Sequence, residues 1–100
     1  MRYITLSIGA KKRINLARQE LEKKISGGLI PAIMWIDSDL NQGRVKSRVA
    51  IGFYNESQRS ELINIIVDDD GFEYVMAVAD SDIQRFLGKI VDYENDNFVL

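Results

Sequence analysis

Cysteine and histidine are absent from all 100 residues. That removes disulfides, thiolate nucleophiles and the imidazoles that commonly hold zinc or relay protons. Acid–base or nucleophilic chemistry would fall to carboxylates, lysines, arginines, tyrosines and hydroxyls alone. Proline occurs once, as Pro31, and tryptophan once, as Trp35. The chain also lacks the run of about eighteen apolar residues that a membrane-spanning helix requires. Its opening, Met1–Leu6, has neither the long apolar region nor the small-residue cleavage site of a signal peptide. A cytoplasmic location is the default expectation.

What is present describes a single globular domain, residues 1–100. Hydrophobic residues make up 46% and charged residues 28%, too apolar for disorder and enough to bury a core without staples. The net charge of −2 hides a division. Residues 1–50 carry ten Lys/Arg against four Asp/Glu, a balance of +6, and residues 51–100 carry three against eleven, a balance of −8. Such asymmetry can mark a face aimed at a charged partner, or it can be a solvated helix followed by acidic turns.

The local patterns predict an α+β fold. Tyr3–Leu6 reads as a short strand, and Ser7 stands where a helix N-cap would. Ala10, Ile14, Ala17, Leu21 and Ile25 form one apolar stripe at helical spacing, predicting a helix over 8–25 that ends at Gly27-Gly28. Ala32–Ile36 reads as a strand buried on both faces. Residues 37–43 read as a polar turn, and Val45, Ser47, Val49, Ile51 and Phe53 alternate as a half-buried strand. Leu62–Val67 and Phe72–Val78 flank the turn Asp68–Gly71 as a hairpin. Asp80-Ser81-Asp82 should cap a helical turn reaching Phe86. Ile90–Tyr93 and Phe98–Leu100 form a last strand pair around Glu94–Asn97. The whole predicts one long helix packed on a mixed or antiparallel sheet or small sandwich.

Two segments carry a family resemblance. The opening Ile4-Thr5-Leu6-Ser7-x-x-Ala10-x-x-x-Ile14 resembles the start of HesB/IscA-like domains, the A-type iron–sulfur carriers. The close is similar as well: Val67-Asp68, Gly71-Phe72, Asp82, Phe86-Leu87-Gly88-x-x-Val91-Asp92-Tyr93 and Phe98-Val99-Leu100. The resemblance implies the family's scaffold. Such carriers hold their cluster with cysteines, one in a loop that would fall near Asp37–Gly43 and two in a C-terminal tail that would lie beyond Leu100. Clusters need thiolates or, occasionally, histidine, and neither residue occurs here. The resemblance therefore implies a scaffold without cluster delivery, and no cofactor is expected.

Other patterns read more simply. Asp37-x-Asp39-x-Asn41 opens like a calcium loop, but the glycine position holds Gln42 and the bidentate glutamate position holds Arg48. A turn is the expectation. The basic helix face with Arg44, Lys46 and Arg48 could meet nucleic acid, yet the aromatics sit at strand positions suited to a core. No phosphate-binding glycine loop or nucleophile with a recognisable partner appears.

The function expected is binding rather than catalysis. Asp68, Asp69, Asp70, Asp80, Asp82, Asp92, Glu94 and Asp96 are the candidate partner-binding residues, as carboxylates of the acidic half. Asp68–Asp70 are expected to be exposed in their turn, while Asp92, between Val91 and Tyr93, has less obvious structural work. A coherent version is an immunity-type inhibitor: a nuclease toxin must attract phosphates, so its cleft is basic and an acidic protein can be steered into it. The alternatives are a diverged HesB-like accessory in iron–sulfur assembly that has no cluster of its own, and a carboxylate-dependent enzyme, which would need two acids converging in a pocket.

Overall fold

The chain folds as α+β, with one long helix against two mixed sheets. The computed structural model describes residues 4–25, 27–36 and 48–100. Tyr3, the turn at 37–43 with its Asp37-x-Asp39-x-Asn41, and Arg44, Val45, Lys46 and Ser47 lie outside the described residues. In chain order the elements are β1 (Thr5–Leu6), α1 (Ile8–Glu22), β2 (Leu29–Ile36), β3 (Arg48–Asn55), a 3-10 turn (Glu56–Glu61), β4 (Ile65–Val67), β5 (Glu73–Met76), α2 (Asp80–Ile83), β6 (Ile90–Glu94) and β7 (Asn97–Val99).

Ser7 starts α1 as its position predicts. Its backbone is extended, and its hydroxyl accepts the Ala10 N–H at 3.0 Å, satisfying one orphan donor of the first turn. Ala10 and Ile14 are fully buried, Ala17 and Leu21 half-buried. The helix stops at Glu22, short of the expected residue 25, and Ile25 is 43% exposed. The cause is local. The Lys24 and Ile25 amides both turn back to the Leu21 carbonyl, and the Glu22 carboxylate accepts the Leu29 N–H at 2.8 Å. The last side chain of the helix thus anchors the first residue of β2. Gly27, at φ +89°, makes the reversal between them.

The larger sheet has the order β3-β2-β5-β4, with β2 antiparallel to β3 and parallel to β5. The Ala77 N–H donates to the Ile33 carbonyl at 2.9 Å. A strand residue aims its N–H and C=O to the same side, alternately along the chain. Odd residues of β2 therefore serve β5, and even residues serve β3. Pro31 falls on the β5 side, where it has no N–H to give, and the parallel ladder begins only at Ala32. On β3, Arg48, Ala50, Gly52 and Tyr54 meet the even residues of β2. The backbone groups of Val49, Ile51 and Phe53 consequently point away from β2, along the sheet's outer edge.

The smaller sheet, β1-β6-β7, joins the two ends of the chain. Its β6–β7 hairpin turns at Asn95 (φ 52°) and Asp96 (φ 64°). Both residues tolerate the left-handed conformation that a tight two-residue hairpin turn demands. Several boundaries differ from expectation. β4 begins at Ile65 rather than Leu62, because the Leu62 N–H closes the 3-10 turn on Arg59. β5 is shorter than Phe72–Val78, and α2 is capped by the Ala79 backbone, with Asp80 its first residue rather than its cap.

The core gathers Ile14 of α1, Ile33 of β2, Val49 of β3, Tyr74 of β5, Val91 of β6 and Phe86 from the turn after α2, all at most 3% exposed. Phe86 stands edge-on to Trp35, ring centroids 6.0 Å apart. On the opposite face, Ile30, Ala32 and Val75 form a second, smaller cluster. Because Ile14 is wholly buried, Ile14→Ala is expected to cost about 2–5 kcal/mol. Leu21→Ala, at a half-buried site, should cost less. Urea denaturation of both variants measures the difference, and equal losses would contradict this placement of the core.

Candidate functional site

The eight candidate carboxylates fall on three elements. Asp68–Asp70 occupy the β4–β5 turn, Asp80 and Asp82 belong to α2, and Asp92, Glu94 and Asp96 belong to the β6–β7 hairpin. Five are exposed: Asp69, Asp70, Asp80, Glu94 and Asp96. The other three are engaged within the fold. Asp82 pairs with Arg85 at 3.0 Å. Asp92 accepts the Ser7 hydroxyl at 2.6 Å and the Tyr93 N–H at 2.8 Å.

Asp68 corrects the expectation that its turn carboxylate is exposed. Its side chain is only 6% accessible. One oxygen accepts the Asp70 and Phe72 amides, each at 2.9 Å, and the other meets Lys11 Nζ at 2.5 Å. Such side-chain-to-backbone bonds are how aspartate closes a turn. Lys11 also reaches Asp70 at 2.8 Å and lies 5.9 Å from the Phe72 ring centroid. The turn is thereby fastened to the first half of α1. A charge reversal at Asp68 would strike the fold, not only the surface.

The ionisation of these groups follows from their contacts. Burial works to raise the Asp68 carboxyl, but hydrogen bonds from Lys11, Phe72 and Asp70 outweigh it and hold the group below the ordinary range. Lys11 is raised correspondingly, chiefly by its hydrogen bonds to Asp68 and Asp70. The Arg59 guanidinium grips Glu73 with two bonds, 2.9 and 2.6 Å, and also meets Glu56. That fork holds the Glu73 carboxyl low. Asp92 is lowered mainly by the Ser7 hydroxyl, then by the Tyr93 amide. The same Ser7 hydroxyl accepts the Ala10 amide, so the Ser7–Asp92 pair ties the start of α1 to β6. Among the described residues, no group of three or more acids converges where a metal ion could be held.

A concavity lies elsewhere. A groove of about 290 Å³ runs between α1, β3 and the β6–β7 hairpin. Ile14, Ala17, Val49, Ile51, Phe53 and Phe98 make its apolar surface, and Arg13, Arg48, Asp96 and Asn97 its polar one. Arg13 stacks over the Tyr93 ring, 5.5 Å from its centroid. A smaller hollow of about 190 Å³ continues it past Arg48, Val49 and Phe98 to Trp35 and Leu100. Of the acidic candidates only Asp96 reaches this groove. Arg13 and Arg48 were not among the expected site residues. Arg13 reads in sequence as one more cation on a solvated helix face, and nothing local brings it beside a strand 35 positions away.

Comparison with protein-family models, with curated proteins and with solved structures finds no match to this chain. Function must therefore be argued from the surfaces just described.

The depressed carboxyl of Asp68 gives a signed prediction. A lowered folded pKa contributes stability that is complete above the unfolded value of about 3.9 and is lost as pH falls through the folded value. Asp68→Asn should therefore cost about 1–3 kcal/mol at neutral pH. It should also lose less stability than the wild type between about pH 5 and about pH 2. Glu73 and Asp92 are lowered in both proteins, so the slope should shrink rather than vanish. Thermal melts across that range decide it, and parallel curves would refute the role given to Asp68.

Proposed function

We propose that this chain is a protein-binding domain whose exposed carboxylates engage a basic partner. Toxin inhibition is the version put forward, with the acids covering a phosphate-attracting nuclease cleft. The observation that supports it is the division among the acids. Asp68, Asp82 and Asp92 are committed within the fold and Asp70 is paired with Lys11, while Asp80, Glu94 and Asp96 stand exposed at a helix start and on the β6–β7 hairpin. Carboxylates so placed add little to stability. They do add to the field that an approaching cation feels, which raises association rates at low salt.

The test follows from that assignment. Asp69→Lys, Asp80→Lys and Glu94→Lys reverse three exposed charges, and Asp96→Asn removes a fourth while keeping a residue suited to φ 64°. The wild-type chain is used to isolate its partner from the source cells, and the association rate is measured for both proteins. The partner should be basic, and the variant should bind it about tenfold or more slowly at low salt, with the gap closing as salt rises. The variant's circular dichroism should match the wild type. An acidic partner, or an unchanged association rate, would overturn the proposal.

A further inference from the structure

We infer that the groove beside α1 binds a small organic anion, a medium-length aliphatic carboxylate, with its chain on the apolar floor and its charge met by Arg13 and Arg48. This site is independent of the basic partner proposed above and shares only Asp96 with it.

The space arises from how the helix sits. α1 makes its close backbone approaches chiefly to β6 and β2. Cα atoms of β3 and β7 come within 8 Å of each other, nearer than the roughly 9.5 Å that an intervening strand would need. The floor is therefore closed, and the open volume lies above it, between these strands and the helix. Val49, Ile51, Phe53 and Phe98 turn their side chains to the same core as Ile14. Of these four strand residues only Val49 is fully buried. Ala17 reports the same gap from the helix side. It continues the stripe of Ala10 and Ile14, yet it stays half-buried while those two are wholly covered. A small side chain at this point leaves unfilled what a larger one would occupy.

Charge selects what enters. Arg13 and Arg48 line the groove, and neither has an ion-pair partner among the described residues. Arg13 is set in place by stacking on Tyr93, so it gives up less freedom when it takes a ligand. A guanidinium offers the fork of donors that a carboxylate accepts. Asp96 is the one acid of the lining, which leaves a cationic excess that disfavours an ammonium head.

Size selects further. The groove's 290 Å³ is on the order of ten water volumes at about 30 Å³ each. That is the low end of small-molecule sites, and it suits a chain of about eight carbons rather than a nucleotide. An apolar floor with a few placed polar groups is the usual make-up of such sites.

The test titrates sodium octanoate into the full chain, with octylammonium chloride and sodium acetate as comparisons. Calorimetry reads affinity, and nitrogen–proton correlation NMR reads the site. Octanoate should bind saturably with a Kd of about 1 mM or tighter. It should shift the amides of Ala17, Val49, Ile51 and Phe98, and leave those of Ile65 and Val75, in the cluster on the sheet's opposite face, in place. Octylammonium, which has the chain without the matching charge, and acetate, which has the charge without the chain, should each bind about tenfold or more weakly. Arg13→Gln/Arg48→Gln should weaken octanoate binding by about tenfold or more. Ala17→Leu, which fills the groove without altering charge, should weaken it as well. Both variants must keep the wild-type circular dichroism, and the three probes test the same claim on unaltered protein. No saturable binding of octanoate, equal affinity for octylammonium, or shifts spread over both faces of the sheet would overturn the inference.

Discussion

Ser7 is the residue on which the two ends of this chain meet. Its N–H extends the β1–β6 pairing to Val91, its hydroxyl accepts the Ala10 amide, and the same hydroxyl donates to Asp92. One short side chain thus fixes where α1 begins, how it sits against β6, and where Asp92 points. Those contacts span 85 positions of sequence between Ser7 and Asp92. Because α1 leaves from this knot, the register of its buried stripe follows. Ala10 and Ile14 enter the core, and Lys11 and Arg13 are carried to either side of it.

Those two cations set up the rest of the surface. Lys11 reaches the β4–β5 turn and Arg13 reaches the β6–β7 hairpin, so the helix fastens to both sheets by its polar flanks as well as by its apolar stripe. Among the described residues the two sheets share no ladder. β3 ends one and β7 ends the other, and the groove is the space left where these edges approach beneath α1. Closing that gap would remove two open edges, the usual hazard of small sheets.

Much of the fold was legible because it rests on local chemistry. The Ser7 cap, the Ala10–Ile14 spacing, the Asp68–Gly71 turn and the Asn95-Asp96 reversal each declare themselves within a few residues. The errors came where a side chain was recruited from far away. Glu22 reads as one more helix residue, but it leaves the helical surface to hold the Leu29 amide. Asp68 reads as an exposed turn acid, but Lys11, 57 positions earlier, covers it. Asp92 shows no partner in sequence because Ser7 lies at the other end of the chain. The groove was invisible for the same reason, since α1, β3 and β7 are distant in sequence and meet only once both sheets form.

The opposed charges of the two halves acquire a different meaning in three dimensions. A +6 half and a −8 half suggest a molecule with two poles, but the fold interleaves them. Lys11 of the basic half neutralises Asp68 and Asp70 of the acidic half, and Arg13 lies against Tyr93 in a groove that also holds Asp96. Within the acidic half, Arg59 binds Glu56 and Glu73, and Arg85 binds Asp82. Pairing at short range cancels most of the field such charges would project, and salt screens the remainder beyond about 8–10 Å. What a partner meets is therefore a few exposed carboxylates on turns and a groove edged by two arginines. Neither feature scales with net charge. Recognition by this protein accordingly rests on where individual charges are left over, and that is decided by Ser7 and Lys11 as they set the helix between its two sheets.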